Sequence, residues 1–150
     1  MSFEETGQEK ETFWRAIFDA LPLPAFIVDE DVHILDFNAE AEKLLGPSPK
    51  SSLWRRGGEV LNCVYAERVG CGQSKPCKNC IIRNSVKDAI GGLDTHRKFF
   101  QAELRGSRGA TTLNLFVTAH RLPDTATPQA LLILENVMET VRLYREHLDQ

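Results

Sequence analysis

No stretch of this chain approaches the roughly 18 consecutive apolar residues of a membrane-spanning helix. The opening residues Met1 to Lys10 are acidic and polar, without the apolar centre of a secretory signal. The expected location is therefore the cytoplasm, with no membrane partner. An excess of one charge is also missing. Eighteen Lys and Arg against 21 Asp and Glu leave a net charge of −3, which offers a phosphate backbone little to bind, so nucleic acid is not an expected partner. There is no internal repeat and no low-complexity tract. A nucleophile elbow, a phosphate-binding loop, a zinc-protease helix and a kinase signature are all absent, so no residue pattern points to an enzyme. Cysteine is scarce except in one place: there are four, all between Cys63 and Cys80. In a reducing cytoplasm they are not expected to form a permanent disulfide framework. What is present is ordinary for one globular domain. The chain has 150 residues, 42% hydrophobic and 26% charged, enough for a core and incompatible with disorder throughout.

Residues 1–11 are expected to be a flexible tail. Phe13, Trp14, Ile17, Phe18 and Leu21 then recur at helical spacing, and Pro22 and Pro24 end that helix. Ala25 to Asp29 and Val32 to Phe37 predict a hairpin turning at Glu30-Asp31. Asn38 is placed to cap a helix carrying Glu40 and Glu42 in its first turn, with Gly46 and Pro47 stopping it. An irregular stretch, Pro47 to Pro76, follows, and a second helix is predicted from near Cys77 to Gly91. His96 to Leu104, Thr111 to Arg121 and Gln129 to Val137 predict three more strands, with Leu113, Leu115 and Val117 on one face. Residues 138–150 return to helical spacing, with Val141, Tyr144 and Leu148 on one stripe. The fold class is thus α+β: a five-stranded antiparallel sheet with helices on one face, plus N- and C-terminal helices.

This order resembles that of a PAS domain, a sensor module. The local sequence agrees. Leu21-Pro22-Leu23-Pro24-Ala25-Phe26-Ile27-Val28-Asp29 leads to Val32-His33-Ile34-Leu35-Asp36-Phe37-Asn38-Ala39-Glu40-Ala41, and Leu132-Ile133-Leu134-Glu135-Asn136-Val137 precedes the last helix. The resemblance covers residues 12–137, with 138–150 as an exit helix. It implies a signal-transduction role, pairing of the end helices across a homodimer, and output through a histidine kinase or another signalling protein.

The four thiols read Cys63-x7-Cys71-x5-Cys77-x2-Cys80. Cys77 and Cys80 lie at a predicted helix start, where free amides and the helix dipole favour thiolates. Lys75, Lys78 and Arg83 lie close in sequence, and Gly70 and Gly72 let the backbone turn tightly at Cys71. Four thiolates can hold zinc or an iron–sulfur cluster, and Cys77-x2-Cys80 can also form a redox pair. Idle thiols packed as small hydrophobes are the bland alternative. Gly58-Glu59-Val60-Leu61-Asn62-Cys63, Gly70-Cys71-Gly72 and Cys77-Lys78-Asn79-Cys80-Ile81-Ile82-Arg83 together resemble an insert found in a subset of PAS domains from bacterial sensors such as histidine kinases.

Other centres are disfavoured. Asn62-Cys63 lacks the flanks of flavin-binding PAS relatives, the LOV domains, and the last strand reads Leu131-Leu132-Ile133-Leu134 where they offer a glutamine to the flavin. His33, His96, His120 and His147 are scattered, which fits hydrogen-bonded or solvent-facing histidines better than a haem ligand. Asp29-Glu30-Asp31 reads as a solvated turn. The expectation is a PAS sensor that detects redox state, oxygen or a small ligand, with Cys63, Cys71, Cys77 and Cys80 binding a metal centre or acting as a dithiol switch. The iron–sulfur cluster stands ahead of zinc. Two alternatives remain open: an interaction and dimerisation module with a structural zinc, and a small-molecule PAS pocket with idle thiols.

Overall fold

The computed structural model describes residues 7–45, 48–61, 63–66, 70–106 and 108–148. Five strands form where apolar residues alternate between short polar turns: β1 (Ala25–Asp29), β2 (Ile34–Phe37), β3 (Thr95–Gly106), β4 (Gly109–Arg121) and β5 (Gln129–Asn136). They make one antiparallel sheet in the order β2-β1-β5-β4-β3, the α+β architecture the sequence predicts. The helices are α1 (Gly7–Ala20), α2 (Ala39–Glu42), α3 (Gly57–Val60), α4 (Ile81–Ile90) and α5 (Val137–Leu148). None is long and apolar enough to cross a membrane among the described residues.

Alternation assigns each strand residue to a face. Phe26 and Val28 of β1, Leu115 and Val117 of β4, and Leu132 and Leu134 of β5 point to the inner face, where they bury Val86 and Ala89 of α4. Each large side chain so buried contributes about 1.5–3 kcal/mol. Ala25 and Ile27 point the other way and pack with Phe18 of α1, Leu131 and Ile133. Helix α1 therefore covers the outer face, while α2 and α4 cover the inner one.

Three expectations need correction. The flexible tail does not extend to residue 11, because α1 begins at Gly7. Glu9, Lys10 and Glu11 are good helix formers that prolong it into solvent, while residues 1–6 lie outside the described residues. Val32 is not in a strand. It adopts φ 63 in the turn, a costly conformation for a β-branched residue, and its side chain is buried while its carbonyl accepts from Gly57 N at 2.9 Å. The second long helix does not open at Cys77. Lys75–Asn79 is a 3-10 turn with Pro76 near its start, and α4 begins at Ile81 with Cys80 as its N-cap. The expected stop at Gly46 and Pro47 lies outside the described residues, as do Asn62 and residues 149–150.

Asn38 does cap α2, as its position predicts, but it does more. Its side-chain oxygen accepts from Ala41 N at 2.9 Å and from Ala25 N at 3.0 Å. Its amide donates to Phe18 O at 3.1 Å and Leu23 O at 2.9 Å. One fully buried side chain thus joins the end of α1, the start of β1 and the start of α2.

Described residues of the irregular segment between α2 and α4 meet both edges of the sheet at isolated bridges. Along β2, Ile34 N donates to Arg55 O at 2.8 Å and Trp54 N to Ile34 O at 2.7 Å. Along β3, Cys63 bridges Leu104, and Val64 N donates to Glu103 O at 3.0 Å. Paired edges are protected from joining other strands. Described residues of the segment on either side of Cys63, among them Gly57, Gly58, Cys71 and Cys77, roof a cavity on the inner face.

Candidate functional site

That cavity holds about 150 Å³. Its floor is apolar sheet: Phe26, Val28, Ile34, Phe100, Leu132 and Leu134. Its roof contains all four cysteines, Cys63, Cys71, Cys77 and Cys80, together with Arg83. The fold thus brings the four sequence-predicted site residues to one place, although they come from a strand bridge, a glycine-flanked turn, a 3-10 turn and a helix cap. All four are free and half-buried. In the described conformation no three His, Cys, Asp or Glu side chains are arranged to hold one metal ion among the described residues.

Glycines make this crowding possible. A Cβ on Gly58 would lie 2.9 Å from Cys71 Sγ and 3.4 Å from Cys63 Cβ. Gly72 has φ +87, and a Cβ there would lie 2.5 Å from the Arg83 guanidinium. Gly72 is therefore required twice, for its left-handed backbone and for the close approach of Arg83.

At Cys80 burial works against the expected thiolate. Amides of Arg83 and Ile82 do point at its sulfur from the start of α4, but burial outweighs them and pushes the thiol above its ordinary range, helped by Cys71 and Cys63. Burial also pushes Cys63 up, against the amides of Tyr65 and Ala66, and ionisation of Cys71 or Cys77 would raise it further.

Polar contacts on the roof converge on Asp31. Its carboxylate accepts from Arg83 Nη1 at 2.7 Å and from Arg56 Nε at 3.0 Å and Nη2 at 2.6 Å. Desolvation opposes its charge, but the two guanidiniums prevail and hold it below the usual carboxylate range. Arg83 Nη2 in turn donates to Cys71 Sγ at 3.2 Å. Asp31 does lie in the turn with its side chain 41% exposed, but its two arginine pairs are a role that sequence reasoning missed. Its partners lie 25 and 52 positions away, so no local signal marks it. Asp29 is structural as well, accepting from His33 N at 2.9 Å and facing His33 Nδ1 at 2.9 Å. His120 Nε2 and His96 Nδ1 stand 3.3 Å apart at the far end of β3 and β4, away from the cavity roof.

Comparison with known proteins agrees with this architecture. Residues 12–78 match the family model PAS_8, a PAS domain. No curated protein matches the chain. Among solved structures, a domain of the sensory box sensor histidine kinase/response regulator from Geobacter sulfurreducens is similar with TM-score 0.56 and 20% identity, over 88% of this chain and 98% of that one. The PAS domain of an HTR-like protein from Haloarcula marismortui gives TM-score 0.54 and 17% identity, over 87% and 99% of the two chains. The PAS domain of nitrogen regulation protein NR(II) from Vibrio parahaemolyticus gives TM-score 0.54 and 16% identity, over 82% and 96%. Residues 12–78 carry the sequence pattern of a PAS domain, and the described chain has the PAS fold.

Proposed function

We propose that the protein is a cytoplasmic PAS sensor module whose four cysteines hold a metal centre, with an iron–sulfur cluster preferred to zinc, and that it passes the state of that centre to a signalling partner such as a histidine kinase. The observation that carries this reading is the gathering of Cys63, Cys71, Cys77 and Cys80 on the roof of one cavity. The preference for a cluster rests on the ligand type and count, since four cysteine thiolates are its usual set. Bound iron and sulfide would supply electron-transfer and oxygen-sensitive chemistry. The chain's own part is to supply four sulfurs, to exclude water with the apolar floor, and to offset thiolate charge with Arg83.

A change at the roof has two routes outward. One is Cys80, the N-cap of α4, which packs on β3, β4 and β5. The other is the β3 edge, through Cys63 and Val64. Two states with unequal affinity for the partner are what such a switch requires. Replacing Cys77 and Cys80 together by serine is expected to abolish retention of iron or zinc and the response to oxidant, both measured on anaerobically purified protein. Unchanged metal content and response in that variant would refute the site.

A second reading is favoured by the floor. Phe26, Val28, Leu132 and Leu134 suit a small neutral ligand, with the thiols idle. Mass spectrometry of the native protein distinguishes the two readings, as a co-purified organic molecule without metal supports this one.

The partner is expected to include a second copy. Phe13 and Ile17 of α1 are 67% and 52% exposed, and Val141, Tyr144 and Leu148 line one side of α5. These stripes are too apolar for two solvated helices, and pairing would bury them. Sedimentation should show a dimer that Phe13→Glu with Ile17→Glu dissociates. A monomer at all concentrations would exclude pairing.

A further inference from the structure

Arg83 is the most connected group in the roof. Its side chain is 11% exposed. Nη1 donates to Asp31 at 2.7 Å and Nη2 to Cys71 Sγ at 3.2 Å. The guanidinium also lies against the backbone of Gly72, so it has no room to swing away on that side. Asp31 is shared with Arg56, which stands at the N-cap position of α3, the helix that carries Gly58 against Cys71. A single guanidinium thus joins the thiol roof to the β1–β2 hairpin.

Resting on the metal-centre reading above, we infer that Asp31 is a positioning residue for the four-cysteine site: it holds Arg83 against Cys71 and, by sharing that cation, sets how strongly the site holds a metal. The reason is charge. Thiols lose their protons on binding a metal, and four thiolates around a divalent ion leave a net negative site. Arg83 stabilises that charge and Asp31 opposes it. Partners outside the ligand shell commonly alter metal affinity 10–100-fold. The coupling is reciprocal, so loading the thiols also alters the hold of Arg83 on the hairpin.

The test is the zinc affinity of the full chain, measured anaerobically by competition with a chromophoric chelator. Zinc serves as a redox-silent probe. Arg83→Gln is expected to weaken binding by about tenfold. Asp31→Asn keeps an acceptor for Arg83 and removes the opposing charge, so it is expected to tighten binding several-fold. In the double variant the effect of Asp31→Asn should shrink, because the part of it that acts through Arg83 is lost. A merely structural role predicts that both single variants weaken binding. Shifts of the same sign, or none, overturn the inference. Asp31→Asn remains decisive by its sign if Arg83→Gln does not fold. Failure of the unaltered chain to take up either zinc or ferrous iron with sulfide overturns the metal-centre reading itself, and the inference with it.

Discussion

Replacing Asn38 by alanine is expected to lower the unfolding free energy by about 3–5 kcal/mol, the sum of a lost helix cap and of buried groups left without partners. Two carbonyls, Phe18 O and Leu23 O, and two amides, Ala25 N and Ala41 N, depend on this one side chain. Asn38 is 0% exposed, so water cannot replace it without repacking. Against a typical total of about 5–15 kcal/mol, the loss brings the domain near its threshold and should lower the melting midpoint by roughly 10 °C. Asn38→Asp is informative beside it. Aspartate keeps both acceptor roles, loses both donor roles and buries a charge. It should therefore also destabilise, and more strongly at high pH than at low. Chemical denaturation of the two variants measures this, and a loss under about 1 kcal/mol for Asn38→Ala would contradict the bonding pattern.

The second large effect is expected at Gly58. The methyl of Gly58→Ala would stand 2.9 Å from Cys71 Sγ and 3.2 Å from its Cβ. Rotation of the thiol alone does not relieve the contact with Cβ, so the turn at Gly70, Cys71 and Gly72 must move. The stability cost of such overpacking is about 1–3 kcal/mol. The cost to the site is larger in kind, because Cys71 and Cys63 both face that methyl. Metal affinity should fall roughly 10–100-fold while far-ultraviolet circular dichroism stays unchanged. Metal content equal to that of the unaltered chain would show that Cys71 is no ligand.

The contrast between these two residues shows how far local pattern reaches. The strands were legible because each is a short apolar run bounded by turn residues: β1 and β5 begin where alternation and Pro, Asp or Asn punctuation place them. Asn38 was legible as a cap because it precedes Ala39 and two acidic residues. Its other three hydrogen bonds were not, since they reach chain segments 13, 15 and 20 positions away. The same limit governs the site. Clustering and the flanking glycines marked the four cysteines, and the fold does place them around one cavity. Proximity to a helix start favours a thiolate at Cys80, whereas burial, a property of the assembled domain, pushes the thiol up. Asp31 illustrates the gap most clearly. In sequence it is one of three acids in a turn, and only the folded chain brings Arg56 and Arg83 to it. Val32 likewise reads as a strand residue, yet the carbonyl contact with Gly57 holds it in the turn.

The measurement that bears most directly on the central claim is the content of iron, zinc and acid-labile sulfide per chain in protein prepared without oxygen, with a visible spectrum recorded before and after exposure to air. The account predicts iron and sulfide bound together, with a colour that air bleaches and that the paired Cys77 and Cys80 serine variant lacks. Zinc alone would make the roof a structural staple. A colourless chain with neither metal and with four freely reacting thiols would contradict the account.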